Sequence, residues 1–261
     1  HSLPPTINDD EATTRLSRAF DTAFGAGTVI DPGMFTGSED VSWFARESGA
    51  PLVYWFWGGV DPQQYADAAA AGTISRDIRA DNFGKLEGYW ITEIGPLNQV
   101  MHMWSYADLN ERARLRAELA KNPRWTGEYI PVIRPLLMRQ DVRLMNAIIP
   151  PVAPATTGNI YEFRNYRAKP VGAAKQWLDL ITGVMPEREK YSKVVGLWAT
   201  DAGQPNEVCH IWAYPDLNAR AAARGNALKD PAWQEFLGKG TQLLEEMHST
   251  IMLPAPHSPL Q

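Results

Sequence analysis

The sequence contains one cysteine, Cys209, so no disulfide can form within the chain. It has no apolar run near the roughly 20 residues that a membrane-spanning helix needs. Basic residues are not in excess either, because the formal net charge is −5. These absences predict a chain in the reducing cytoplasm, without a membrane span, whose main partner is not a nucleic acid.

The common sequence signatures of catalysis are also missing. The chain has no glycine-rich phosphate loop, no zinc-ligand spacing and no serine-nucleophile elbow. Cys209 has no sequence neighbour that would activate its thiol, so we interpret it as a small apolar residue. We therefore predict neither a cofactor nor a metal ion, and expect partners among proteins or metabolites.

The feature that organises the chain is an internal repeat. Residues 88–125 recur at 196–233 with one offset, 210 − 102 = 108 for the histidines, and no gap. A repeat of this length indicates two copies of one supersecondary unit, each unable to bury its apolar face alone. The offset pairs Trp90 with Trp198, Asn98 with Asn206, His102 with His210, Trp104 with Trp212, Arg112 with Arg220 and Arg116 with Arg224.

The second copy reads as a complete β-α-β-β-α-β unit, which is the ferredoxin-like pattern. Alternating and four-residue periodicities predict strands at 159–166, 193–200, 206–213 and 248–253, with helices at 172–186, 217–228 and after Pro231. In the first copy the same signals predict strands at 88–92, 98–105 and 142–149, a helix starting at Asp108, and an interrupted helix at 125–137.

Residues 83–253 resemble the NIPSNAP family. The matching motifs are Gly88-Tyr89-Trp90, the run from Thr92 to Val100 and, in the second copy, Glu162, Arg164 and Tyr166. The resemblance implies an α+β fold of two ferredoxin-like units of the dimeric α/β-barrel type. We expect their sheets to pack face to face, within one chain or across a homodimer. The described roles of the NIPSNAP family are mainly in protein interaction, and the resemblance implies such a role here.

Residues 1–82 resemble the end of the catalytic domain of metal-dependent amidohydrolases. The motifs are Pro4-Pro5 with Asn8-Asp9, Thr36 to Asp40, and Tyr54-Trp55 leading to Gly58-Gly59. The family's segment ends in an Asn-His pair that supplies a metal ligand, but here Asn82 is followed by Phe83. The resemblance therefore implies a remnant that cannot hold a metal.

We predict four segments: an amidohydrolase-like fragment at 1–82, a first repeat at 83–150, a linker at 151–158, and a complete second repeat at 159–261. The first repeat lacks its own leading strand and helix. Since 159 − 51 = 108, the offset places that strand at residues 51–57 and that helix near 62–71. We hypothesise that this foreign β-α piece completes the first sheet, because it would cover an unpaired strand edge.

His102 and His210 are the candidate catalytic residues, because an imidazole can exchange a proton near neutral pH. The structural interpretation, a half-buried histidine bonded to a backbone carbonyl, is favoured because no diagnostic partner accompanies either one. The candidate binding residues divide in the same way. The aromatic residues could line a ligand cleft or fill the core. The arginines could bind an acid or lie on a solvent-exposed or interface face of their helix. Glu162 and Arg164 could simply pair with each other. This set is Trp90, Trp104, Arg112, Glu162, Arg164, Trp198, Trp212 and Arg220.

The sequence is compatible with three functions. The first is a binding and assembly module without catalysis, whose partner is a protein or a second copy of the chain. The second is a dimeric α/β-barrel enzyme of the monooxygenase or isomerase type, acting on a small apolar substrate. The third is a hydrolase remnant, inactive because its metal ligands are missing. An apolar cavity meeting a histidine and an arginine would favour the enzyme, and sheet faces filled by side chains would favour assembly.

Overall fold

The computed structural model describes residues 8–27, 29, 51, 72–96 and 98–261. The chain divides into two compact units, residues 1–61 and 62–261. The first unit contains helix α1, Asp10–Phe24, which starts where the Asp9 carboxylate accepts the Ala12 N–H and ends at Gly25. The strand predicted at 51–57, the helix predicted at 62–71 and the motif around Ser38 lie outside the described residues.

The second unit is built on a single antiparallel sheet of seven described strands. They run in the order β2-β1-β7-β4-β6-β5-β3, and the sheet is curled. Every strand predicted within residues 83–253 is present, with ends shifted by a few residues. Their bounds are β1 Lys85–Ile94, β2 Val100–Ser105, β3 Leu144–Ile149, β4 Ile160–Ala168, β5 Val194–Ala202, β6 Glu207–Tyr214 and β7 Leu244–Pro254.

Helices follow the strands at the predicted places. Residues 72–79 are also helical and lead into β1. The interrupted helix predicted at 125–137 consists of a π-turn, Trp125–Tyr129, the short helix α3, Ile130–Ile133, and a 3₁₀ turn, Arg134–Leu136. Pro131 and Pro135 account for the interruptions. The remaining bounds are α2 Leu109–Leu119, α3 Ile130–Ile133, α4 Ala173–Arg188, α5 Leu217–Ala227 and α6 Pro231–Gly240.

The two repeats join edge to edge. β1 of the first repeat pairs with β7 of the second, and β3 of the first pairs with β5 of the second. The strands of both repeats therefore form one curled sheet. Edge pairing satisfies backbone N–H and C=O groups that would otherwise lie unpaired at the edge strands of each repeat. The face-to-face packing of the two halves stays a prediction.

The repeat extends to backbone conformation. Asn98 and Asn206 both adopt positive φ, 57° and 61°, in the turn between their two strands. Asp108 caps α2 by accepting the Glu111 N–H, and Asp216 caps α5 by accepting the Ala219 N–H. Equivalent sequence positions have thus produced equivalent local structure in both copies.

Two apolar clusters cover the two faces of the sheet. Because strand residues alternate between faces, β4, β5 and β6 each contribute to both clusters. The helix-facing cluster comprises Tyr166, Trp177, Leu178, Ile181, Met185, Val194, Leu197, Val208, Trp212, Tyr214 and Phe236. The inner cluster, on the opposite face, comprises Trp90, Tyr161, Val195, Trp198, Cys209, Ile211, Met252 and Leu260.

A tryptophan folded over a glycine anchors the inner cluster in each repeat. A Cβ atom added to Gly88 would lie 2.0 Å from Cη2 of Trp90, and one added to Gly196 would lie 2.3 Å from Cη2 of Trp198. Both glycines sit at register shifts in their strand pairings. Glycine at this position is therefore required by close packing of the indole ring.

Replacing Gly196 by alanine should lower the free energy of unfolding by about 1–3 kcal/mol, because the new methyl group must displace Trp198. Urea denaturation followed by tryptophan fluorescence would measure the change. Gly225→Ala is the matched control, since no atom lies within 4 Å of a Cβ built there, inside α5. The control should be neutral or slightly stabilising, and an equal loss in both variants would contradict the packing argument.

Candidate functional site in the second repeat

Polar side chains converge on the helix-facing side of three neighbouring strands. On β4, Glu162, Arg164 and Tyr166 share this face by the two-residue period of a strand. Arg164 lies opposite His210 on β6 and opposite Ser249 on β7. The sheet register therefore brings these side chains into one site.

Glu162 is the centre of this site and is completely buried. Its Oε1 atom accepts hydrogen bonds from Arg164 Nε at 2.8 Å, Arg220 Nη2 at 2.6 Å and Ser249 Oγ at 2.6 Å. Arg224 contributes a fourth group, with Nη1 3.9 Å from the same oxygen. A buried carboxylate is stable only with this degree of compensation.

The neighbouring arginines keep the Glu162 side chain ionised. Burial alone would raise the pKa of Glu162, but the hydrogen bond from Arg220 and the charge of Arg164 outweigh it and lower the pKa to about 2. The carboxylate is therefore ionised at neutral pH. Its Oε2 atom is buried and has no hydrogen-bond partner among the described residues.

His210 faces the same region but is held as a neutral ring. Trp212 Nε1 donates to His210 Nδ1 at 2.6 Å, so the ring proton resides on Nε2. Burial, followed by the charge of Arg164, lowers the pKa of His210 to about 3. Its bonding partner is the indole of Trp212, whereas the sequence suggested a backbone carbonyl.

The first repeat reproduces part of this arrangement. Trp104 Nε1 donates to His102 Nδ1 at 3.0 Å, matching the pair in the second repeat. The Arg79 guanidinium stacks over the Trp104 ring at 3.3 Å, as Arg188 stacks over Trp212 at 4.4 Å. Each arginine also lies near a second matched indole, Trp125 at 6.0 Å for Arg79 and Trp233 at 5.3 Å for Arg188.

Sequence reasoning missed Arg79 and Arg188. Their separation is 188 − 79 = 109, one residue more than the repeat offset, so a gap-free comparison does not align them. Allowing a one-residue insertion before Gly88 would have found the pair. The matched tryptophans were the available signal, because a guanidinium commonly stacks on an indole ring.

The predicted binding residues divide into groups and do not line one cleft. Trp90 and Trp198 belong to the inner cluster, whereas Trp212 belongs to the helix-facing cluster. Glu162, Arg164 and Arg220 come together around the buried carboxylate, and Trp104 stacks with Arg79. The predicted pairing of Glu162 with Arg164 is present.

Two cavities stand out among the described residues, and both are polar. One of about 170 Å³ is lined by residues that include Arg143, Glu207 and His248. The other, of about 550 Å³, is lined by residues that include Asp81 and Glu118. Among the described residues, no three side chains of the metal-binding types come together as ligands. None of the described helices has the length and apolar character of a membrane span.

Comparison with known proteins agrees with the repeated architecture. The sequence profile of the NIPSNAP family matches residues 59–149 and 161–259, one segment in each repeat. The chain belongs to the NIPSNAP family. The first matched segment includes the helical residues 72–79, which contain Arg79.

Several NipSnap proteins are similar to this NIPSNAP chain. The NipSnap homolog of Dictyostelium discoideum is 30% identical over 64% of this chain and 74% of its own length. Drosophila melanogaster NipSnap is 27% identical over 68% of this chain and 65% of its own, and mouse NipSnap homolog 2 is 30% identical over 67% and 63%. The chain thus spans less than two thirds of the last two relatives.

Solved structures with a similar fold include a putative monooxygenase from Lactobacillus acidophilus, with a TM-score of 0.53 and 10% identity, covering 74% of this chain and 87% of that one. A NIPSNAP-like domain protein from Burkholderia xenovorans is 36% identical over 40% of this chain and 91% of its own, with a TM-score of 0.37. At 10% identity, the first likeness concerns the fold alone.

Replacing Glu162 by glutamine should lower the free energy of unfolding at pH 7 by about 3 kcal/mol, because Arg164 and Arg220 would lose their common anion. Wild-type stability should also fall as pH drops from about 4.5 to 2. In that range the unfolded chain binds a proton at Glu162 and the folded chain does not, so Glu162 stabilises the fold less at lower pH. Urea denaturation across this pH range measures both effects.

Glu235→Gln is the matched control. Glu235 is an exposed residue of α6 whose partner is Lys239 at 2.6 Å. Its substitution should change stability little at any pH, because exposed ion pairs contribute little. Similar losses in the two variants, or an unchanged acid profile in Glu162→Gln, would contradict the central role of the buried carboxylate.

Proposed function

We propose that this NIPSNAP chain is a binding and assembly module that acts without acid–base catalysis, and that it associates with a second copy of itself. The observation that carries this proposal is a group of exposed apolar side chains in β3 and the segment just before it. This group, called the 137–148 surface, contains Leu137, Met138, Val142 and Ile148. Exposed apolar patches on a folded unit are typical of association sites.

The fold supports a second copy as the partner. Within the chain, the strand edges of one repeat already pair with those of the other, through β1 with β7 and β3 with β5. The strand edges of one repeat are therefore complementary to those of the other repeat. A second copy of the chain is a suitable partner, because most soluble oligomers are homo-oligomers. The 137–148 surface includes Ile148 of β3, a strand at one end of the described sheet, and the exposed side chains of this surface, not the β3 strand edge, would contact the second copy.

The histidines give little support to an enzyme. A general base works best when its pKa is near the working pH, whereas that of His210 is about 3. Both sheet faces of the second repeat are filled by side chains, and the two cavities described above are polar. The likeness to a putative monooxygenase supports a shared fold and does not transfer an activity.

The segment boundaries remain predictions of this proposal. The amidohydrolase resemblance concerns residues 1–82, most of which lie outside the described residues. With the one-residue insertion before Gly88, β4 at residues 160–168 corresponds to residues 51–59, and all of these except residue 51 lie outside the described residues. The described sheet has β2 and β3 at its two ends, which is where the repeat plan would place a first strand of the first repeat.

Light scattering after size-exclusion chromatography tests the assembly proposal. The wild-type chain should elute as a dimer, with twice the monomer mass of 29.1 kDa. Ile148→Lys and Met138→Lys should shift the mass toward the monomer, because a charge would have to be desolvated at the interface.

Val171→Lys is the matched control, since Val171 is 96% exposed in the turn before α4 and away from the 137–148 surface in sequence. It should keep the wild-type mass. A wild-type chain that remains monomeric at about 100 µM, a concentration that would populate a dimer of micromolar affinity, would contradict the proposal. A dimer unchanged by both surface substitutions would contradict it as well.

A further inference from the structure

Charged and polar side chains replace the apolar inner cluster at one end of the sheet. Tyr161 of β4 belongs to the inner cluster, and the two-residue period of a strand puts Asn165 and Arg167 on the same face. The register places Glu207 of β6 and Glu246 of β7 opposite Arg167. These side chains line a cavity of about 170 Å³ whose described lining residues are all polar or charged.

Two arginine–carboxylate pairs border this cavity. On one side, Arg143 Nη2 donates to Glu207 Oε2 at 3.2 Å, and Arg143 Nε donates to the other oxygen of the same carboxylate. On the other side, Arg167 Nη1 donates to Glu246 Oε1 at 3.1 Å. The two guanidinium charges and the two carboxylate charges balance, so a ligand without net charge suits this lining.

The two pairs differ in how many of their hydrogen-bonding groups are already used. Glu207 is only 4% exposed, and it also accepts from Asn165 Nδ2 at 3.2 Å and from the Cys209 thiol. Glu246 is half-exposed, and its Oε2 lies 3.5 Å from His248 Nε2, which is longer than a usual hydrogen bond. Arg143 Nη1 has no partner among the residues that the structure describes. One donor and one acceptor on opposite sides of the cavity therefore remain for a ligand.

The plan of the repeat does not require these charges. Since 207 − 108 = 99, the offset pairs Glu207 with Gln99, and it pairs Cys209 with Met101. The first repeat thus forms the equivalent strand, β2, with uncharged residues at both positions. Burying a carboxylate is costly even when it is paired, and a charge that the fold does not need is typical of a functional site.

We propose that this cavity binds a small zwitterion, of the size of a free α-amino acid. Arg143 binds the carboxylate of the ligand, because guanidinium donors match carboxylate oxygens, and Glu246 binds its ammonium group. A cavity of roughly 150 Å³ accommodates one benzene molecule, so a cavity of about 170 Å³ suits a ligand of the size of serine. The site uses none of the four apolar side chains of the 137–148 surface, so binding does not depend on dimerisation.

Isothermal titration of the full chain with L-serine tests the site. Two analogues each lack one charge: 3-hydroxypropanoate has no ammonium group, and ethanolamine has no carboxylate. Serine should bind at least about tenfold more tightly than either analogue, the usual effect of a hydrogen bond between charged groups. Glu246→Gln should weaken serine binding by a similar factor but should not weaken binding of 3-hydroxypropanoate, because that analogue has no ammonium group for Glu246 to bind.

Glu245→Gln is the matched control, because Glu245 is the exposed neighbour of Glu246 on β7 and is not among the residues that line the cavity. It should bind serine as the wild type does. Thermal unfolding of each variant separates lost binding from lost folding, and the half-exposed position of Glu246 provides a variant that leaves the buried core intact. No serine binding at about 10 mM, equal binding of serine and either analogue, or equal losses in Glu245→Gln and Glu246→Gln would overturn the proposal.

Discussion

Edge-to-edge strand pairing is the interaction on which the rest of this structure depends. β7 of the second repeat lies between β4 of its own repeat and β1 of the first, with backbone ladders to both. This pairing places Trp90 of the first repeat against Tyr161 of the second, with ring centroids 5.6 Å apart. Neither repeat could bury these aromatic rings on its inner face alone.

The repeats share a scaffold but differ in how their polar groups are satisfied. In the second repeat, Glu162 compensates the arginines that face the helix side of the sheet, and His210 is locked by Trp212. In the first repeat, His102 and Trp104 form the same pair and Arg79 takes the place of Arg188. The two copies thus share the histidine–tryptophan pair and the stacked arginine, whereas the buried carboxylate that binds arginines is described in the second repeat.

Much of the fold could be predicted from the sequence, because it depends on local signals. The gap-free repeat located the paired strands, and Asp108 and Asp216 marked the starts of α2 and α5. The glycine two residues before each tryptophan is visible in the sequence, but the reason for it, close contact with the indole of Trp90 or Trp198, is seen only in the structure.

Long-range features were harder to predict. Whether the strands of the two repeats form one sheet or two depends on which strand edges meet, and no local periodicity encodes that choice. The assembly of Glu162, Arg220 and Ser249 joins residues 87 positions apart, so only the register of β4 with β7 and the packing of α5 bring them together. The hydrogen-bond partner of His210, the indole of Trp212, likewise depends on packing.

Native-state hydrogen exchange, read by mass spectrometry at increasing urea, tests most directly whether the two repeats form one structure. If β1, β7 and β4 belong to one sheet, their amide protons should become exchangeable together, in a single cooperative opening with the free energy of global unfolding. Exchange of β1 and β2 at much lower urea, while β4 and β7 remain protected, would show that the repeats are separate units and would contradict the account.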